Sequence, residues 1–325
     1  AMDLPSTGAP GSPAALAHET TQAEAARAQA QAQLAQAQAA AAAAKAQAEA
    51  ARAQAEADEA MALAAAEEEA ARQVQEQLRA AAAAERQRQE QAQRETQKAA
   101  ALSELEAAEP ARAVEILRQT AEDAEIQAAG WAIVWRRSDA GPGMANAYGN
   151  GVAAADGMAV VAAAMRQHAG EATVLEQAFH ATWILCRLGD KADAVAAAGG
   201  IAAVVRGMGA HVGSVGVQQF GCGVLTNLAF NSDALSAAIA PAGGIAAVVR
   251  AMGAHVGSEG VQAHGATALN NLMFKSEPRK AAFASAGGIE AVLRGMEAHV
   301  GSAAVQEAGC TVLGTAAMSD SGSIR

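Results

Sequence analysis

The sequence predicts an all-α fold, a stack of short helical repeats preceded by one long helix. Three observations carry this. The stretch "GGIAAVVRGMGAHVGS" at 199–214 returns at 243–258 as "GGIAAVVRAMGAHVGS" and at 287–302 as "GGIEAVLRGMEAHVGS". A weaker copy, "DGMAVVAAAMRQHAGE", stands at 156–171, so the period is 43 to 44 residues. From Ala14 to Glu109 there is no Gly and no Pro, and Ala, Gln, Glu and Arg, all strong helix formers, make up nearly everything. Finally, 52% of the 325 residues are hydrophobic but only 3% are aromatic. Small side chains on that scale favour closely packed helices over one large core.

Residues 1–13, with Pro5, Pro10 and Pro13 among Gly and Ser, read as a disordered leader. Residues 14–108 then read as a single helix, roughly 130 Å long at about 1.5 Å per residue. Charge pairs at helical spacing support it: Glu68 with Arg72, Glu90 with Arg94, Glu24 with Arg27, Glu49 with Arg52. Its large apolar residues, such as Leu34, Met61, Leu63, Val74 and Leu78, do not sustain an a/d pattern over three heptads. A solitary helix and a self-associating coiled coil through 14–108 both stay open.

Pro110 marks the change to short helices broken by Gly, Asn, Asp and Ser over 109–325. One repeat reads as three helices. The first, 232–243, closes at the turn Gly243–Gly244, where side chains would obstruct the chain. The second, 200–212, presents Ile201, Val204, Val205 and Met208 on one face. The third, 215–231, begins after Ser214, which suits an N-cap. One such unit cannot bury its apolar face alone, whereas stacked neighbours share a continuous core.

The third helix spells V-Q-x-x-G-x-x-x-L-x-N-L-A through Val217, Gln218, Gly221, Leu225, Asn227, Leu228 and Ala229. It does so again through Val261, Gln262, Gly265, Leu269, Asn271 and Leu272, and in eroded form from Val305 to Leu313 with Thr315 in place of Asn. With three helices per unit and the double-glycine turn, this closely resembles the armadillo repeat. The resemblance covers 109–325 as five second-and-third-helix pairs and leaves out the long helix. It implies a right-handed α-solenoid of about five repeats, with the third helices lining a concave groove. Gly221, Gly265 and Gly309 are then the places where helices approach closely.

The resemblance also implies a function, holding an extended peptide of a protein partner along that groove. Asn227 and Asn271 match the asparagine that hydrogen-bonds the peptide backbone in the family, a task an amide suits because it both donates and accepts. Where some armadillo grooves carry Trp one turn earlier, this chain has His180, Gly223, Thr267 and Thr311. That argues against binding a basic nuclear-import signal in the importin manner. Phe220 and His264, a further turn back, would supply an apolar floor, and Trp131, Trp135 and Trp183 read as core.

The remaining patterns point away from chemistry. His168, His211, His255 and His299 recur once per unit. Stacked helices lie about 8–10 Å apart, too far for these imidazoles to share a metal that needs each nitrogen about 2 Å away. A place at a helix C-terminus suits them instead. Arg206, Arg250 and Arg294 form a ladder that reads as a solvated ridge. Cys186, Cys222 and Cys310 lack metal-site spacing and read as small buried thiols of a reducing compartment, the cytoplasm.

No phosphate loop or nucleophile elbow is present, so no enzyme and no cofactor are expected. The net charge is −11, with −7 over 1–108 and −4 over the rest, which argues against nucleic-acid binding. No run of apolar residues is long enough for membrane insertion. Two competing roles stay open: the long helix as the working, oligomerising part, or a non-catalytic part of a larger enzyme.

Overall fold

The computed structural model describes residues 13–139, 144–187 and 191–318, so the expected leader over 1–13 lies almost wholly outside the described residues. Helices account for nearly all of them, and no strand occurs among them. The long helix α1 runs Pro13–Ala107, and the chain divides into two compact units at Glu90, inside this helix.

In the first unit, every described side chain of α1 is exposed, including Leu34, Met61, Leu63, Val74 and Leu78. Local contacts are what this stretch has. Glu68 and Arg72 close at 2.6 Å as their spacing predicts, and Gln54 donates to Asp58 at 3.0 Å. Glu49 pairs with Lys45 at 3.9 Å, not with Arg52. Each such pair contributes only a few tenths of a kcal/mol, about 0.2–0.5. Propensity therefore carries this helix.

The second unit starts at Gln91 and holds the repeats. The first repeat contributes α2 (Pro110–Gln119) and α3 (Ala124–Ser138). Four triplets follow, the first three being α4 (Met144–Ala154), α5 (Gly157–Gln167) and α6 (Ala172–Arg187); α7 (Lys191–Ala197), α8 (Gly200–Ala210) and α9 (Val215–Ala229); α10 (Asp233–Ile239), α11 (Gly244–Ala254) and α12 (Glu259–Met273). The last is α13 (Glu277–Ser285), α14 (Gly288–Ala298) and α15 (Ala303–Ala317). The third helices α3, α6, α9, α12 and α15 stack in sequence order, with α5, α8, α11 and α14 stacking beside them. This is an α-solenoid of five second-and-third-helix pairs.

The repeated residues explain why each unit folds the same way. Ser214, Ser258 and Ser302 are N-caps, accepting from the backbone N–H of Val217, Val261 and Val305 at 3.3–3.4 Å. A cap of this kind is worth about 1 kcal/mol. Gly243 sits at φ 88°, where a side chain would be strained, and turns α10 into α11. At Gly221 an added methyl would lie 2.7 Å from Met208, so the third helix rests directly on the second-helix methionine. The signature glutamine ties the same two helices. Gln218 donates to the Met208 and His211 carbonyls, both at 2.9 Å, and Gln262, Gln306 and Gln127 repeat the arrangement.

The repeated histidines join one repeat to the next. Nε2 of His168, His211, His255 and His299 lies 2.6–2.8 Å from the carbonyl oxygens of Ala121, Ala169, Val212 and Val256, each in the preceding repeat. Since a carbonyl only accepts, Nε2 carries the proton. Each histidine does end a helix, but its ring serves as a staple between units.

Both ends of the stack depart from the pattern. At the start, the end of α1 and the residue after it reach the first repeat through individual side chains: Lys98 pairs with Glu125, Leu105 is fully buried beside Gly130, and Arg137 donates to the Ala108 carbonyl. The long helix, outside the family resemblance, thus ends inside the repeat core. At the far end Cys310 is exposed, which corrects the expectation of three buried thiols, while Cys186 and Cys222 are buried as expected. Cys222 holds the equivalent place in α9 and is fully buried, and α9 packs on α12, while no described helix follows α15. The Arg206, Arg250 and Arg294 ladder is exposed, as a solvated ridge should be.

Candidate functional site

The face formed by the stacked third helices divides into an aromatic stretch and a polar one. In the aromatic stretch, His180 of α6 stacks on Trp135 of α3 at 4.0 Å between ring centroids and on Phe220 of α9 at 3.9 Å. Trp183 of α6 lies 6.1 Å from Phe220 and 4.9 Å from His264 of α12. Five rings from four successive repeats therefore form one row. Trp135 is fixed at its rim by donating Nε1–H to Gln177 at 2.9 Å. Offset and tilted contacts of this kind add about 0.5–1.5 kcal/mol per pair beyond burial.

The row is uncharged near neutral pH. Burial pushes the His180 imidazole down to about 4, with Asp139 opposing and His264 reinforcing the effect. Burial also lowers His264, against a backbone bond with Gln219 that raises it. Nδ1 of His264 is buried and has no hydrogen-bond partner among the described residues.

Beyond His264 the face opens into a recess of about 440 Å³ between α12 and α15, lined by His264, Thr267, Asn270, Glu307 and Thr311 among others. Thr267 and Thr311 turn their hydroxyls back to carbonyls of their own helices, Ala263 and Glu307, both at 2.8 Å. Asn270 accepts from the Thr315 hydroxyl at 2.6 Å, linking α12 to α15.

The residues singled out from sequence thus gather on one face, with different tasks. Phe220, His180 and His264 belong to the aromatic row, and Thr267 to the recess. Asn227 and Asn271 bridge helices: their Nδ2 groups donate to the Trp183 carbonyl at 2.7 Å and the Thr226 carbonyl at 3.1 Å, in the preceding third helix. In each amide the carbonyl oxygen has no partner among the described residues.

Sequence reasoning missed two tryptophans and one asparagine here. Trp131 is core, fully buried and donating to Gln127 at 3.1 Å, but Trp135 and Trp183 are half-buried members of the row. Counting from the repeated glutamine and histidine puts Trp135, Trp183, Thr226 and Asn270 in one register, a signal that was present in the spacing. Gly223 is small for a related reason. A methyl there would sit 2.9 Å from the Trp183 indole, which covers it.

No family model matches the chain, and no curated protein matches it. Solved structures do. A crystal structure described as an engineered protein superposes with a TM-score of 0.55 at 22% identity, over 65% of this chain and 80% of its own. A designed armadillo repeat protein in complex with the peptide (KR)4 gives 0.53 at 16% identity, over 66% and 84%. A second designed armadillo repeat protein gives 0.50 at 16%, over 62% and 82%. By fold, this chain is an armadillo-type α-solenoid.

Among the described residues no cluster of His, Cys, Asp or Glu could hold a metal ion, and no helix is long and apolar enough to cross a membrane. The two interior thiols are inert, since burial pushes both Cys186 and Cys222 up to about 12.

Proposed function

We propose that this chain is a non-catalytic binding module that holds an extended segment of a partner protein along the third-helix face. The observation carrying this is the recess between α12 and α15. It continues the aromatic row through His264, and Thr267, Thr311 and Asn270 bring hydroxyl and amide groups to its lining. An extended strand presents alternating donors and acceptors, which such a mixture can satisfy. Its apolar side chains would lie against the ring row. The likeness to a designed armadillo protein crystallised with a peptide supports the reading by analogy of fold.

Filling the recess tests it. Thr267→Trp places an indole where the partner would lie, and Ala308→Trp fills the same space from α15. The whole chain, wild type and each variant, is used to capture proteins from the source cell, with helicity and melting temperature measured in parallel. Partners retained by wild type and lost by both folded variants are the expected result. Partners unchanged by both would overturn the proposal.

A further inference from the structure

A second recess, of about 560 Å³, opens at the C-terminal ends of α9 and α12. Its rims are Phe230 and Phe274, the C-cap residues of those helices, which occupy the same place in successive repeats. They are 63% and 58% exposed, which is unusual for phenylalanine. Scattered exposed apolar residues need no explanation, but a pair at one repeat position flanking a cavity marks a candidate interaction site.

Lys275 stands beside them. Its φ is 51°, in the left-handed region that a lysine rarely adopts. Its ammonium lies 5.1 Å from the Phe274 ring centroid. The neighbouring cations are committed elsewhere. Arg279 is held by Asp233 and by the carbonyls of Leu272 and Phe274, and Lys280 by Glu277 and the Met318 carbonyl. Lys275 has no carboxylate partner among the described residues. The recess thus combines two rings with one positive charge free of a carboxylate partner among the described residues, and Asn270 and Asn271 also line it.

We infer that this recess takes an acidic extended segment of a protein partner, with an apolar side chain between Phe230 and Phe274 and a carboxylate on Lys275. Charge selects the segment: the lining carboxylate Asp233 is already paired with Arg279, and a basic segment would meet Lys275 with the same sign. Strand geometry sets the spacing: residues two apart point the same way, about 6.6 Å from each other. An aromatic residue with Glu or Asp two positions away can therefore present both side chains to the recess. The inference rests on the groove reading, since Asn270 lines both recesses.

The probes are two pools of labelled nonapeptides with a fixed central Phe, one carrying Glu and the other Lys two residues on. They are titrated against the whole chain by fluorescence anisotropy. The Glu pool is expected to bind about ten-fold more tightly, a difference of about 1.4 kcal/mol. Lys275→Glu should invert that preference, and Phe230→Ser with Phe274→Ser should weaken both pools. Equal binding of the two pools, no binding of either, or a preference that survives Lys275→Glu would overturn the inference. If Thr267→Trp removes binding while Lys275→Glu changes nothing, the groove reading stands and this site fails alone.

Discussion

Ile245 and Ile289 hold the same place in successive repeats and meet opposite surroundings. Ile245 is 3% exposed and Ile289 46%, while Val249 and its counterpart Leu293 are 7% and 45% exposed. The local sequences are nearly identical, as are the caps, the glycine turns and the Gln and His bonds. What differs is the neighbour: α11 is covered by α13 and α14, and no described helix covers α14. Burial in this chain is therefore a property of the junction between repeats rather than of the repeat, as expected for a quasi-one-dimensional stack. The opposite end is resolved differently, because α1 brings Leu105 into the core there.

The largest test of that contrast is a matched pair of truncations. Ile245→Ala should cost about 2–5 kcal/mol in urea unfolding, as a cavity-forming change does. Ile289→Ala should stay within about 0.5 kcal/mol, as at an ordinary surface position. Equal costs would break the comparison. A smaller effect is expected from the staples. His299→Ala removes the bond to the Val256 carbonyl and should cost about 1–3 kcal/mol because that acceptor loses its partner. Hydrogen exchange should then quicken in α14 and α15 well before it does in α8 and α9.

The smallest effect separates the aromatic row from the rest of the face. His180 is lowered in the folded chain to about 4 from an ordinary 6.5, so the unfolded chain binds the proton first as pH falls. Its contribution is complete above pH 6.5 and is lost progressively down to about pH 4. Replacing His180 by Phe should flatten the melting temperature over that window. An unchanged slope would show that the ring does not titrate there.

Much of this architecture was legible in the sequence, for identifiable reasons. The period, the glycine turn, the serine caps and the long glycine-free helix all follow from residues acting within a few positions of themselves. The histidine staples were not legible, because each acceptor is a backbone carbonyl 42 to 47 residues away and leaves no trace in residue identity. The bonds of Asn227 and Asn271 to backbone one repeat earlier were not legible for the same reason. Trp135 and Trp183 were assigned to the core because large apolar residues usually belong there, although their register with Thr226 and Asn270 pointed to the face. The burial of Leu105 required knowing that the end of one helix turns into the cover of another.

The staples have a consequence for how such a chain changes length. Because His255 and His299 grip equivalent oxygens, on Val212 and Val256, excision of residues 233–276 would set His299 against Val212 with the same hydrogen bond. The shortened chain would keep its histidine staple at the new junction. Duplication of the same block would add another such histidine bond, so the staple is kept when whole units are lost or gained, although Arg279 and Ser302 would lose Asp233 and Glu259 on excision.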